Sequence, residues 1–482
     1  MNKDFSLKAM LWIIAAGFFM QALDTTIVNT ALPTMARSLN ELPLNMQPVI
    51  VAYSLTMAML TPASGWLADR FGTRRVYFWA IFIFATGSLF CAISHTLNQL
   101  IVARVLQGIG GSMLLPVGRL AILRTFPSVL YLSAITMVSI SGQVGPLIGP
   151  MLGGWLVETI SWHWIFLINL PIGLAGCIAV LIFLPREKPL AHQARFDFPG
   201  FALLSTCMVA FSLALDGPGA GHVAAHAAVN GNNNSHGALI WAVSLLALSA
   251  ATAIGYVQLA KRRQHPLFPL ALFKQRTFSL GLAGNLIARI GSSSVPFLMP
   301  LLFQLELGYS PLESGMMMLP VALAGIVVKR IVTPLVQTYG YSKVLAVNTV
   351  LVGASIISFA SISPAWPVWV VVVQLSLFGA FNSMQYATMN SVTLKDLSLE
   401  HASSGNALFS MAQMLAIGLG VTVGGALVKL FSGSWSSPVL AFRLTFVLMG
   451  LVTMISATVF SAMRTSRKDT GGPNPEAGLI EE

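Results

Sequence analysis

The chain has 482 residues, of which 55% are hydrophobic and only 9% charged, with a mean hydropathy of +0.77 and a formal net charge of +11. That balance excludes a soluble globular protein of this length and describes a polytopic membrane protein. The positive charge requires no nucleic acid, because basic residues gathered on one side of a bilayer and facing anionic headgroups account for it.

Stretches of about 20 mostly apolar residues predict about fourteen helical spans. They fall near 10–31, 49–68, 76–94, 100–123, 132–157, 165–184, 198–215, 238–259, 278–303, 315–336, 344–362, 367–389, 404–430 and 440–463. The first follows a short basic segment but runs longer than a signal-peptide core and ends in a polar, charged helix, so it is read as a retained span. Basic residues test this layout. Lys3 and Lys8, Arg70, Arg74 and Arg75, Arg186, Lys188 and Arg195, Lys261 to Arg263 with Lys274 and Arg276, Lys343, Lys395, and Arg464, Arg467 and Lys468 fall at alternate turns. Arg37, Lys429 and Arg443 fall outside the phase, and both termini are therefore expected in the cytoplasm. Cys91, Cys177 and Cys207 lie inside spans at unrelated depths, a pattern of packing residues and not of a disulfide framework or zinc site.

In the first span Gly17, Gln21, Asp24 and Val28 share one face, a small and polar stripe that should point at a cavity. A charge at mid-span costs about 2.5–3.5 kcal/mol on insertion scales, so Asp24 needs a reason to be there. It is suited to exchange a proton for a substrate; a structural salt bridge or an interfacial position is the alternative. The loop Gly65 to Arg75 carries Asp69, Arg70 and Gly72: Gly72 suits a tight conformation, and Asp69 can cap a helix or pair with nearby arginines. Such a charged turn can latch one of two conformations, or simply anchor the cytoplasmic side. Arg104 lies a turn or two inside the fourth span with Gln107, Gly108 and Gly111 on the same side, where a permanent guanidinium charge can tune a neighbouring carboxylate. Arg119 lies deeper and can snorkel.

Residues 141–173 put more glycine and proline into an apolar stretch than a soluble helix survives. Gly145, Gly149, Gly153 and Gly154 recur at helical spacing around Pro146 and Pro150, which predicts a bent helix with a bare face, either a moving part or a packing surface. Further on, the loop 216–237 holds His222, His226 and His236; without a Cys or carboxylate cluster they read as part of a polar outside loop, the metal-binding alternative being open, and no metal site is assigned. Arg289 stands near the middle of the ninth span with no evident acidic partner in the second half. Lys329 and Arg330 sit near the cytoplasmic end of theirs, where snorkelling explains them.

The chain also repeats. Gly65 to Arg75 has a degraded echo in Thr333 to Lys343, Gly108 and Ser112-Met113 match Gly379 and Ser383-Met384, and Gly153-Gly154 match Gly424-Gly425, all about 270 positions downstream. The expected organisation is a six-helix half over 1–187, two extra spans over 188–264, a second six-helix half over 265–465 and a cytoplasmic tail over 466–482.

These motifs, in this order and over nearly the whole chain, resemble the major facilitator superfamily, in particular its fourteen-span drug:proton antiporter branch. Gly65 to Arg75 is similar to its cytoplasmic-loop motif, Arg104-Val-Leu-Gln107-Gly108 to its proton-transfer motif, and Gly145 through Gly149-Pro150 to Gly153-Gly154 to its antiporter motif. Leu23 to Pro33, Trp162 to Gly173 and Asp197 to Gly200 also resemble that branch. The resemblance implies an all-α integral membrane protein of two six-helix halves plus two helices, in the bacterial inner membrane. It implies proton-driven export of small molecules by alternating access, with Asp24, Gln21, Arg104, Gln107 and Arg289 at the cavity. Protons, a small-molecule substrate and lipid are the implied partners, with no cofactor, no nucleic acid and a monomeric state.

There is one departure. Relatives that export lipophilic dications carry extra acidic residues in second-half spans, whereas Met316 to Met318 and Gln413 stand in those regions here. With Arg289 central, an organic anion or a metal–carboxylate chelate such as a citrate complex is the alternative cargo. An enzyme or sensor would need a nucleophile with its base, or ligands at recognisable spacing, and none stands out, so no enzymatic activity is expected.

Overall fold

The computed structural model describes residues 3–126, 128–185, 196–216, 235–264, 266–395, 397, 399–434 and 437–463, and among them every regular element is helical. In a medium without water each backbone amide must be satisfied within its own segment, which an apolar chain achieves by forming helices. Among the described residues twelve helices are long and apolar enough to cross a membrane, thirteen if the pair Pro311–Val327 and Lys329–Tyr339, bent by 48°, is one span. The remaining expected span, 132–157, lies in the helix Ser128–Thr159, some of whose side chains lie outside the described residues.

The first part of the chain comprises α1 (Lys3–Ser38), α2 (Gln47–Leu60), α3 (Ser64–Phe71), α4 (Thr73–Ala92), α5 (Leu97–Thr125), α6 (Ser128–Thr159), and the broken pair α7 (Trp164–Leu167) and α8 (Asn169–Phe183). Next come α9 (Phe198–Asp216) and α10 (Ser235–Arg262), which pack chiefly on each other. The last part comprises α11 (Arg276–Leu301), α12 (Pro311–Met317), α13 (Leu319–Val327), α14 (Lys329–Tyr339), α15 (Tyr341–Ser358), α16 (Val368–Lys395), α17 (Leu399–Ser434) and α18 (Pro438–Ser461).

The repeat read from the sequence has a geometric counterpart. Gly72 links α3 to α4 at φ +84°, ψ 147°, and Gly340 links α14 to α15 at φ +79°, ψ 156°, a backbone region that only glycine enters freely. The glycine doublets match as well. A methyl group on Gly153 would meet the Ile27 carbonyl of α1 at 2.5 Å, whereas one on Gly154 would collide with the Pro311 backbone of α12. In the second doublet a methyl on Gly424 would press on Ser294 of α11 at 3.0 Å, and one on Gly425 would collide with the Gln47 side chain of α2. In each doublet the first glycine thus packs within its own part of the chain and the second against the other part.

At the end where these doublets lie, one apolar core joins the two parts, with Leu32, Met35 and Leu156 in the same cluster as Phe297, Phe303 and Val428. Gln304 adds a cross-link there, its side-chain amide donating to the Thr30 carbonyl at 2.9 Å. At the opposite end, where Gly72 and Gly340 turn the chain, the parts separate around a cavity of about 840 Å³.

The helices α9 and α10 lean on the seam between the two parts. Met208 of α9 and Tyr256 of α10 share an apolar cluster with Ala58 of α2 and Leu408 and Met411 of α17. Buried Asp197 secures the connection: one carboxylate oxygen accepts from the Gly200 amide at 3.1 Å and from Arg263 at 3.2 Å, and the other from the Leu267 amide at 3.2 Å. His222 and His226 lie outside the described residues, as does the side chain of His236; among the described residues no group of three metal-ligating side chains forms.

Candidate functional site

Asp24 and Arg104, 80 positions apart, form a buried ion pair at 2.6 Å, with relative side-chain exposures of 0% and 1%. Burial is bearable because nearly every polar atom is satisfied. The Arg104 Nε donates to the Val49 carbonyl at 3.1 Å and a terminal nitrogen to Gln107 Oε1 at 2.6 Å, while the guanidinium lies 4.2 Å from the Tyr53 ring centroid. Gln107 Nε2 donates to the second oxygen of Asp24 at 2.8 Å and to Ser88 Oγ at 3.2 Å. Asn169 Nδ2 reaches the same Asp24 oxygen at 3.4 Å and Ser88 at 3.0 Å, and Ser88 itself donates to the Phe166 carbonyl at 2.9 Å. Five helices therefore hold one carboxylate.

Of the sequence-predicted residues, Asp24, Arg104 and Gln107 come together here, and Gln21 does not. It lines the large cavity and turns its amide to the Met57 sulfur at 4.0 Å. The reason is angular: residues three apart on a helix are about 60° out of line, enough for Asp24 to face α5 while Gln21 faces the opening. Ser88, Asn169 and Tyr53 complete the cluster without having been singled out for it. Ser88 could have been suspected as a hydroxyl beside Gly87 in an apolar span, and Gly87 does bring α4 against the Gln107 backbone, where a methyl would stand 2.5 Å from its amide nitrogen.

Arg289 lies elsewhere, in α11, with its guanidinium 4.5 Å from the Tyr386 ring centroid and its Nε unpartnered. None of the ion pairs among the described residues involves it. It lines a smaller cavity of about 200 Å³ together with Arg104, Asn29, Ser54 and Asn382. The large cavity is lined by apolar side chains and the charged Asp69, Arg119 and Asp197, with amides and hydroxyls between them: Gln21 and Ser112 on one wall, and on the other Tyr386, Asn390 and Gln413, which form their own chain of hydrogen bonds.

At its mouth Gly65 stands with open space where a side chain would be, and Asp69 pairs with Arg124 of α5. Arg70 lies 5.2 Å from the Trp66 ring centroid, and Arg75 is exposed. Lys329 and Arg330 are both exposed, and Lys329 donates to Gln143 of α6. The glycine run of α6 lies along α1. A methyl on Gly145 would stand 2.6 Å from the Leu23 nitrogen, one on Gly149 would collide with Thr26, and the Thr30 hydroxyl donates to the Pro150 carbonyl at 3.2 Å.

A helical bundle closed at one end, open at the other and holding a buried ion pair in its interior belongs to the class of multi-pass membrane carriers. The chain belongs to the Major Facilitator Superfamily, whose family model matches residues 14–421 and 282–481. It is 46% identical over 461 residues to the MdtD protein of Cronobacter sakazakii, covering 95% of this chain and 94% of that one; MdtD bears a provisional multidrug-resistance name. It is 44% identical over 467 residues to the MdtD protein of Pectobacterium atrosepticum, covering 96% and 97%. Among solved structures it is similar to the POT family transporter PepTSo, with a TM-score of 0.68 at 14% identity over 94% of this chain and 97% of that one.

Proposed function

We propose that the chain is a proton-coupled exporter of small molecules working by alternating access in the bacterial inner membrane, needing no bound cofactor and acting as a monomer. The carrying observation is the Asp24 carboxylate, held out of water by Arg104, Gln107 and Asn169, with Gln21 three residues before it lining the large cavity and Arg104 lining the smaller one. The basic turns assign the open end, with both termini, to the cytoplasm. Proton arrival at Asp24 removes the charge that holds Arg104 and frees the helices to rearrange; departure restores the pair. Because the relatives' name speaks of multidrug resistance, export is the direction that fits. The six-helix halves over 1–187 and 265–465 are the bodies that move.

The test is proteoliposomes with an imposed pH gradient and an internal pH dye, challenged in turn with lipophilic cations, organic anions and iron chelates. Substrate should drive proton movement in the parent and not in Asp24→Asn. Equal transport and equal pH dependence in that variant sink the proposal.

A second cargo is supported by Arg289, a half-buried cation with no carboxylate paired to it among the described residues and in the same small cavity as Arg104. Organic anions or metal–carboxylate chelates suit it. Arg289→Ala should then abolish anion-driven proton movement and leave any cation-driven movement; equal loss of both marks a structural arginine.

A further inference from the structure

We infer that Asn169 reads the protonation state of Asp24 by offering opposite ends of its amide to the two states. The inference rests on the proton-coupling reading above and assigns a residue to it. An ionised carboxylate only accepts hydrogen bonds, whereas a protonated one must also donate. The cluster around Asp24 is built almost wholly of donors. Arg104 occupies one oxygen; Gln107 and Asn169 point N–H groups at the other. A proton placed there needs an acceptor, and Gln107 cannot supply one: its Oε1 already takes Arg104 at 2.6 Å and the Cys91 thiol at 3.7 Å, and its Nε2 serves Asp24 and Ser88.

Asn169 differs. The residue is 1% exposed, and its Oδ1 has no partner although the protein has buried it. A buried carbonyl left unpaired is costly, and such an atom asks for an explanation. Turning the amide end for end places this oxygen where Nδ2 now stands, 3.4 Å from Asp24 Oδ1 and 3.0 Å from Ser88 Oγ. The Asp24 proton then has its acceptor. Ser88 turns its hydroxyl from the Phe166 carbonyl to the same oxygen, and Phe166 keeps the Ile168 amide as its donor. The exchange moves no backbone and breaks no bond between Gln107 and its partners. Asn169 also stands at the first position of α8, next to the break after α7, so its side chain reports on a joint in the chain.

The titratable and charged groups facing Asp24 from the packed elements are Arg104 of α5, Tyr53 of α2 and Cys91 of α4, with Arg289 of α11 across the small cavity. None of them is an acceptor in contact with Asp24: Arg104 and Arg289 only donate, Cys91 already donates to Gln107, and the buried Tyr53 hydroxyl, though it has no partner, makes no hydrogen bond to the carboxylate. Asn169 is accordingly a positioning residue that sets how readily Asp24 takes its proton. Without it the protonated form loses its acceptor, while the ionised form loses only its longest donor.

The experiment is infrared difference spectroscopy of the purified full-length protein over a pH titration, with the Asp24 carboxyl band identified by its loss in Asp24→Asn. In Asn169→Leu the midpoint should move to acid by about one pH unit, about tenfold in proton affinity, and the band should shift to the higher frequency of a carboxyl lacking an acceptor. Asn169→Ala, which cannot overpack, should do the same, and Asn169→Gln, which keeps an amide, should move the band less than either. Unchanged midpoint and frequency in both truncations overturn the assignment of Asn169 alone. Absence of any Asp24 band across the titration overturns the coupling role of Asp24 itself, and this inference with it.

Discussion

Gly154 and Gly315 close the same contact from its two sides. A methyl group on Gly154 would strike the Pro311 carbonyl, and one on Gly315 would strike the Pro150 carbonyl, so α6 and α12 meet backbone to backbone with Pro-three-residues-Gly on each. Glu158 adds a side-chain carboxylate that accepts from the Leu312 amide at 3.0 Å.

Replacing either glycine with valine should therefore unseat the closed end. Overpacking of this kind costs about 1–3 kcal/mol, enough to raise the share of molecules open at that end by about 5- to 150-fold. In a background lacking Cys91, Cys177 and Cys207, labelling of Asn29→Cys by a membrane-impermeant maleimide added outside should quicken in Gly154→Val and Gly315→Val. Unaltered labelling would mean that this crossing does not gate the cavity.

The Asp24 and Arg104 pair should behave as a unit in thermal unfolding. Removing one partner of a buried pair strands the other and costs about 3–5 kcal/mol. Asp24→Asn and Arg104→Gln should each lower the melting temperature, and the double variant should fall well short of the sum of the two, because neutral amides can bond each other. Additive losses would show that the two side chains contribute independently.

Gly72 and Gly340 hold a backbone shape that costs other residues about 1–3 kcal/mol. Gly72→Ala and Gly340→Ala should each reduce melting temperature, whereas Gly65→Ala, with nothing within 4 Å of the added methyl, should leave stability intact. A Gly65→Ala variant as unstable as the others would refute this geometric ordering.

His163 supplies a pH dependence. Burial, followed by the charge of nearby His95, holds its pKa below the usual 6.5, with Ser161 Oγ 2.7 Å from its Nδ1. The folded protein thus takes up this proton less readily than the unfolded chain, whose histidine titrates near pH 6.5. The stability it contributes is present above that value and is lost as pH falls from there towards the folded-state pKa. His163→Phe should lessen the drop in melting temperature between pH 7.5 and pH 5.5, and an undiminished drop would place the acid sensitivity elsewhere.

Much of this was legible in the chain because membrane helices leave coarse marks. The glycine spacing of α6 survives in sequence because a bare face admits no substitute, and Asp24 and Arg104 stand out because charge in an apolar span is costly. The closers of the cluster were hidden. Ser88 and Asn169 are common polar residues whose role depends on α4 and α8 meeting α1 in space, which no local spacing encodes. Gln21 was grouped with Asp24 by a stripe too broad to tell a cavity wall from a helix interface. Twelve of the fourteen expected spans match helices long and apolar enough to cross a membrane among the described residues, and a thirteenth is bent where Val328 separates two segments that read as a single apolar run.

The cluster beneath α9 and α10 has a mechanical meaning. Its members come from α2 on one side and α17 on the other, so any rocking of the two parts must shear this seam while the pair stays pressed on it. Met208, Met411 and Met414 lie at that surface, and unbranched thioether chains reshape without leaving voids. On the rocking proposed above, the two additional helices would rest on the joint as a seal rests on a bearing, keeping lipid tails out of a gap that changes shape with each cycle.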